Sequence, residues 1–201
     1  MKIICIGRNY AEHAKEMNAP LPSAPIFFMK PETALLRTRD FFYPKFTNNL
    51  HHECEIVLKI DKVGKNIDEK FASTYYSSCS LGIDFTARDL QQNCKEKGLP
   101  WEIAKSFDQS APLSKTWIPL KDTTQEITFQ LEKNGNVVQQ GSSLNMIFSF
   151  DQIISYISKF ITLKKGDLIF TGTPSGVGEV KIGDHLKCTL MGEDVLSFNI
   201  R

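Results

Sequence analysis

No run of apolar residues in this chain of 201 is long enough to span a bilayer, since a helix needs about 20 of them to cross the hydrocarbon core. The apolar start Ile3-Ile4-Cys5-Ile6 stops at Gly7-Arg8. That is too short for the core of a signal peptide, and no transit segment is read ahead of it. Charge of one sign is lacking as well: 24 Lys and Arg face 23 Asp and Glu, a formal net charge of +1. No basic stripe stands out, which argues against nucleic acid as a partner. The five cysteines (Cys5, Cys54, Cys79, Cys94, Cys188) are odd in number and include no C-x-x-C. They read as reduced thiols in a cytoplasmic-type compartment. The glycine-rich run Thr171-Gly172-Thr173-Pro174-Ser175-Gly176-Val177-Gly178 lacks both the G-x-x-x-x-G-K-[ST] of a P-loop and the G-x-G-x-x-G of a dinucleotide fold. No repeat, low-complexity tract or clear linker divides the chain, so residues 1–201 are expected to form one domain.

Against these absences stands the stretch Leu50-His51-His52-Glu53-Cys54-Glu55-Ile56-Val57-Leu58. In a strand, residues i and i+2 share a face, so Glu53 and Glu55 point one way and Cys54 and Ile56 the other. Two carboxylates this close repel, and a cation between them removes the penalty. Oxygen ligands suit Mg²⁺, Mn²⁺ or Ca²⁺ better than Zn²⁺. The same pattern also fits a solvated strand edge. Asp84 ends an expected strand over 76–84, at a junction where a helix opens. There it either completes a three-oxygen site or satisfies backbone N–H groups of the turn.

Several other side chains carry a second reading beside an ordinary one. A strand over Lys2–Ile6 gives way to a short helix from Tyr10 to Met17, with Asn9 as its cap. On that helix His13 and Glu16 lie at i and i+3. They are either a catalytic dyad, the carboxylate orienting the imidazole, or a surface ion pair. Three prolines among residues 18–25 form a loop before the strand Ile26–Met29, and the helix between them and Gly7 is placed as a lid. Lys30 ends that strand, to meet an anion or water. Thr86 with Asp89 resembles a capping box opening a helix to Lys97, stopped by Gly98 and Pro100. Arg88 and Gln91 share a face of it. Lys105, in Ala104-Lys105-Ser106-Phe107, either snorkels or is buried for a purpose. The glycine-rich loop can offer backbone N–H groups and the Thr173 hydroxyl to a carboxylate. The C-terminal half reads as structural: a hairpin turning at Asn134-Gly135, then a helix capped by Ser149 and Gln152 with Ile153, Ile154, Ile157 and Phe160 on its core face.

Together these pieces resemble the fumarylacetoacetate hydrolase family. The resemblance covers nearly the whole chain and is carried by Gly7-Arg8-Asn9-Tyr10 with His13 and Glu16, Phe28-Met29-Lys30-Pro31, His52-Glu53-Cys54-Glu55, Asp84-Phe85-Thr86-Ala87-Arg88-Asp89, Ala104-Lys105-Ser106-Phe107 and the loop at 171–178. The run Lys97-Gly98-Leu99-Pro100-Trp101 is similar to the acylpyruvase and oxaloacetate decarboxylase branch. The resemblance implies an α+β, β-rich fold: a mixed β-sandwich roll with peripheral helices. It implies a homodimer, with Mg²⁺ or Mn²⁺ held by Glu53, Glu55 and Asp84. It makes His13 and Glu16 the lid dyad, Lys105 and Gln91 the substrate anchors, and Lys30, Arg88 and Thr173 pocket residues. The expected activity is metal-dependent cleavage of a C–C bond in acylpyruvate-type 2,4-dioxo acids, giving pyruvate and a carboxylic acid, with decarboxylation of oxaloacetate alongside. The alternatives are an isomerase or tautomerase of 2-oxo dioates on the same scaffold, and a non-catalytic binder of a small anion or protein. The expected location is the cytoplasm. Cys54 departs from the apolar residue common between the two ligands and is expected to face away from them.

Overall fold

The strands Ile3–Gly7 and Cys54–Ile60 are mostly apolar and buried along most of their length, as strands covered on both faces are. A computed structural model, which describes residues 1–16, 20–122 and 125–201, places them inside a six-stranded sheet. Its order is Ile26–Lys30, Ile3–Gly7, Leu168–Phe170, Cys54–Ile60, Tyr76–Ile83, Ile118–Pro119. The pair Ile3–Gly7 and Leu168–Phe170 is parallel, and the other neighbours are antiparallel. Side chains divide between the two faces with period two. Ile4, Ile6, Ile56, Leu58 and Ile169 enter the main core. Ile3, Cys5, Val57, Leu168 and Phe170 pack into a smaller one.

A four-stranded antiparallel sheet, ordered Glu193–Asn199, His185–Leu190, Thr128–Lys133, Asn136–Ser142, contributes Phe129, Leu131, Leu186, Cys188, Leu190 and Phe198 to the same main core. The layers make a β-rich sandwich with few helices, as expected. Its hairpin turns at Asn134 (φ 54°) and Gly135 (φ 81°), the left-handed pair a type I′ turn needs. The helix Phe150–Ser158 carries the capping box read from Ser149 and Gln152. It buries Ile153, Ile154 and Ile157, but Phe160 lies beyond its end and is 57% exposed, resting against Tyr156 and Phe27. The helix closes at Ser158, so the helical spacing that put Phe160 in the core no longer applies there.

Two caps differ from expectation. Thr86 and Ala87 form a strand pairing with Leu50 and His51, part of a three-stranded sheet with Gly178–Glu179. The helix therefore starts at Arg88, after Ala87 and without a side-chain cap. Asp89 instead accepts from the Thr47 hydroxyl and the Asn48 N–H. Gly98 ends the helix in the left-handed region (φ 64°) as read. Asn9 does not cap the helix Ala11–Glu16. Its amide bridges Phe148 and the Thr171 carbonyl, backbone groups that would otherwise need other partners. The last residue of the expected helix, Met17, lies outside the described residues, as do Asn18 and Ala19 of the loop read after it. Among the described residues no helix is long and apolar enough to cross a membrane.

Candidate active site

Cross-strand pairing brings the three acidic residues together. Cys54 pairs with Ile83, and one step further the Asp84 N–H donates to the Glu53 carbonyl at 2.8 Å. Glu53 falls in the one-residue break between Leu50–His52 and Cys54–Ile60, yet keeps the i, i+2 relation to Glu55. One oxygen from each of Glu53, Glu55 and Asp84 lies within 4.8 Å of the others. All three are buried. Cys54 turns the other way, into the core beside Cys188.

Buried charge demands compensation, and the pocket supplies it unevenly. Glu53 accepts from Arg88 Nη2 at 2.6 Å and from Lys105 Nζ at 2.8 Å. Burial works against its ionisation, but Lys105 and then Arg88 overcome that and hold its pKa well below the usual carboxylate value. Lys105, 2% exposed, also reaches Asp84 Oδ2 at 2.8 Å. Burial disfavours its charge, yet Asp84 and Glu53 keep its pKa above the lysine norm. It is not snorkelling. Two of its three ammonium protons are bound, leaving one for a ligand.

Glu55 has no such partner among the described residues. Its Oε2 accepts only a backbone N–H, from Gly172 at 2.8 Å. Burial, then the charges of Asp84 and Glu53, push its pKa well above normal. Asp84 Oδ1 is buried with no hydrogen bond among the described residues and forms an ion pair with Lys30 Nζ at 2.8 Å. A carboxylate short of positive charge beside an unbonded buried oxygen fits a hard divalent cation, whose oxygen ligands these would be.

Lys30 is placed differently from expectation. It does not line the pocket. It sits behind Asp84, 2% exposed, donating to the Ser110 hydroxyl at 3.0 Å and to the Lys105 carbonyl. The carboxylate of Asp84 draws it inward as a counter-ion. The other expected residues, His13, Arg88, Gln91, Lys105 and Thr173, do line the pocket with the acidic triad. Arg88 Nη1 holds the Gln91 amide oxygen at 2.7 Å, which leaves the Gln91 NH₂ free to donate. Arg88 Nε is buried with no partner among the described residues. The Thr173 hydroxyl donates to the Cys54 carbonyl at 2.8 Å, so its proton is already bound and it offers none to a carboxylate.

The helix Ala11–Glu16, expected to serve as a lid, is tied to the glycine-rich loop through Glu16. His13 Nδ1 and Glu16 Oε2 are 3.1 Å apart, and Glu16 Oε1 accepts the Gly176 N–H at 3.1 Å. Gly176 has φ 91°, and a Cβ there would come within 2.2 Å of the Val138 carbonyl oxygen. Gly176→Ala is expected to destabilise the protein by more than the roughly 1–3 kcal/mol of backbone strain alone and to loosen the Glu16 contact, read as a lowered urea midpoint together with lost turnover.

Gln139 was not readable from the sequence. Buried in the four-stranded sheet, its amide oxygen faces His52 Nδ1 and the Cys54 N–H at 3.0 Å each, and its NH₂ donates to Thr173 and Pro174. It pins the acidic strand to the glycine-rich loop. No local pattern marks it, because its partners are more than 30 residues away. Arg8, Lys95, Trp101 and Phe28 also line the pocket without having been assigned a role.

The model for the fumarylacetoacetate (FAA) hydrolase C-terminal family matches residues 2–200. The chain belongs to this family. Oxaloacetate tautomerase FAHD1, mitochondrial, of Mus musculus is 43% identical over 202 residues, spanning 99% of this chain and 91% of the mouse protein. Oxaloacetate tautomerase YcgM of Escherichia coli is 40% identical over 198 residues, 96% of this chain and 90% of that protein. Among solved structures, fumarylpyruvate hydrolase of Pseudomonas aeruginosa in complex with Mn²⁺ and pyruvate superposes with a TM-score of 0.93 at 37% identity, over 100% of this chain and 89% of the other. As a member of this enzyme family, the chain carries an acidic triad able to hold a metal ion.

Proposed function

We propose that this chain is a Mg²⁺- or Mn²⁺-dependent enzyme of small 2-oxo acids that interconverts the keto and enol forms of oxaloacetate. The observation that carries the reading is one pocket lined by both the acidic triad and His13, in a chain whose tautomerase relatives align over nearly its full length. A divalent cation held by Glu53, Glu55 and Asp84 would supply Lewis-acid polarisation of the 2-oxo group. The side chains do the rest. The free proton of Lys105, the Gln91 NH₂ and Arg88 Nε bind the C1 carboxylate and fix its orientation. His13, held through Nδ1 by Glu16, takes a proton from C3 with its other nitrogen. The electron pair left behind moves through C2 onto the 2-oxo oxygen, which then takes up a proton to give the enol. The reverse sequence regenerates the keto acid.

Hydrolysis of acylpyruvates is the second reading, favoured by the same His–Glu dyad and by the likeness to fumarylpyruvate hydrolase. There His13 would deprotonate a water that attacks the distal carbonyl, and the C–C bond would break to release pyruvate and a carboxylic acid. Decay of the enol absorbance of oxaloacetate above the buffer rate, abolished by chelator and restored by Mg²⁺, is the result expected. Pyruvate release from acetylpyruvate without any such acceleration would instead favour hydrolysis. The five cysteines are all free and buried, which supports a reducing compartment such as the cytoplasm, although several relatives are named as mitochondrial. A homodimer belongs to the same proposal and is tested by sedimentation.

A further inference from the structure

Four cations line the pocket, Arg8, Arg88, Lys95 and Lys105, against three carboxylates, Glu53, Glu55 and Asp84. A bound divalent ion would raise the positive excess to three charges. Arg88 and Lys105 are engaged with the triad. Arg8 and Lys95 are not: neither side chain has a hydrogen bond or ion pair to any described residue. The Lys95 ammonium stands over the face of Trp101, 5.8 Å from the ring centre.

These two residues are placed, not scattered. Arg88, Gln91 and Lys95 lie at i, i+3 and i+7 of one helix, a single stripe facing the site. The stripe runs outward: Gln91 is buried, Lys95 exposed at the mouth. Arg8 approaches from another element, directly after the strand Ile3–Gly7. It is half-buried and holds φ at 59°, a left-handed conformation unusual for a non-glycine residue and one that collects at ligand sites. Partial desolvation at the mouth, and then the nearby charges of Arg88 and Arg8, draw Lys95 below the usual lysine pKa. That is a crowding of like charges which an anion would relieve.

We infer that Arg8 and Lys95 form the subsite for the second carboxylate of a 2-oxo dicarboxylic acid. The inference rests on the proposed reading of the triad and deepens it. With the C1 end held at the buried floor by Lys105 and Gln91, a chain of four carbons extends toward the mouth, where these cations stand. A monocarboxylate such as pyruvate leaves both unanswered. Arg8 and Lys95 are thus specificity residues, selecting dianionic substrates over neutral-tailed acylpyruvates.

The test reads binding, not turnover. The Mn²⁺-loaded full chain is titrated calorimetrically with pyruvate and with 3,3-difluoro-oxaloacetate, which has no C3 proton to lose. Arg8→Gln and Lys95→Met are each expected to weaken the dicarboxylate about tenfold, as loss of a charge-assisted hydrogen bond does, and to change pyruvate less than about twofold. Arg8→Lys should recover part of the loss. Should Arg8→Gln fail to fold, Lys95→Met, on an exposed helical position, decides alone. Parallel weakening of both ligands, or no change in either, overturns the subsite. Selective weakening of the dicarboxylate upholds it even if the protein does not tautomerise oxaloacetate. Tautomerase activity with binding unmoved by either substitution overturns the subsite and leaves the activity standing.

Discussion

Glu55→Gln is expected to abolish metal binding while leaving the metal-free protein as stable as the parent, or more so. Glu55 is the triad member with no ion-pair partner among the described residues. Burial and its two carboxylate neighbours already disfavour its charge. A neutral glutamine of the same shape removes that repulsion, and its amide oxygen can still accept the Gly172 N–H. Asp84→Asn should behave in the opposite way. Asp84 lies against both Lys30 and Lys105, and removing its charge strands buried ammonium groups, a change that costs about 3–5 kcal/mol when a buried pair is broken. Thermal unfolding with and without Mn²⁺ separates the two. The parent should gain roughly 2.7 kcal/mol at a hundredfold excess of metal over its Kd. Glu55→Gln should show an unchanged or raised metal-free midpoint and no gain. Asp84→Asn should show a lowered midpoint before any metal is added. Turnover in Glu55→Gln should fall by about 10³-fold, the worth of several kcal/mol of lost charge stabilisation. A Mn²⁺-dependent gain that persists in Glu55→Gln would remove Glu55 from the ligand set.

The contrast between these residues marks what the sequence could convey. Glu53 and Glu55 were legible because strand periodicity is local: two residues apart is one face, whatever the tertiary fold. The core strands, the type I′ turn at Asn134-Gly135 and the cap at Ser149 were legible for the same reason. Thr86 shows the limit. Its spacing to Asp89 matches a capping box, but the partner strand Leu50–His52 claims its backbone first, and ladder pairing of a buried segment outweighs a cap. Lys30 shows another. Nothing in Met29-Lys30-Pro31 tells that a carboxylate 54 positions later will draw the ammonium behind the pocket instead of into it. Gln139 and Arg8 lie beyond local reading altogether: one acquires meaning only through partners on distant segments, the other through a backbone conformation that side-chain identity does not disclose.

His13→Ala is expected to lower enolisation of oxaloacetate by about 10²–10⁴-fold, the contribution of a positioned general base, with metal binding intact. The geometry separates the two effects. His13 touches Glu16 and the pocket, not the triad's hydrogen bonds, so the Mn²⁺-induced rise in unfolding temperature should match the parent. Glu16→Gln should cost less, because its single amide oxygen can still hold Nδ1, although its NH₂ then meets the Gly176 N–H that Oε1 accepts in the parent and the negative charge that favours the imidazolium is lost. The substitution also sorts the chemistries. Enolisation and hydrolysis both need a proton removed, from C3 in one and from water in the other, so both should fall together. Decarboxylation of oxaloacetate needs neither removal: the electron pair comes from the C3–C4 bond as CO₂ leaves, and the pocket cations stabilise the same developing charge. His13→Ala should therefore leave pyruvate release from oxaloacetate within a fewfold of the parent while exchange of C3 deuterium with solvent collapses. Equal loss of both would make His13 a structural support of the lid, and unchanged exchange would assign the base to another residue.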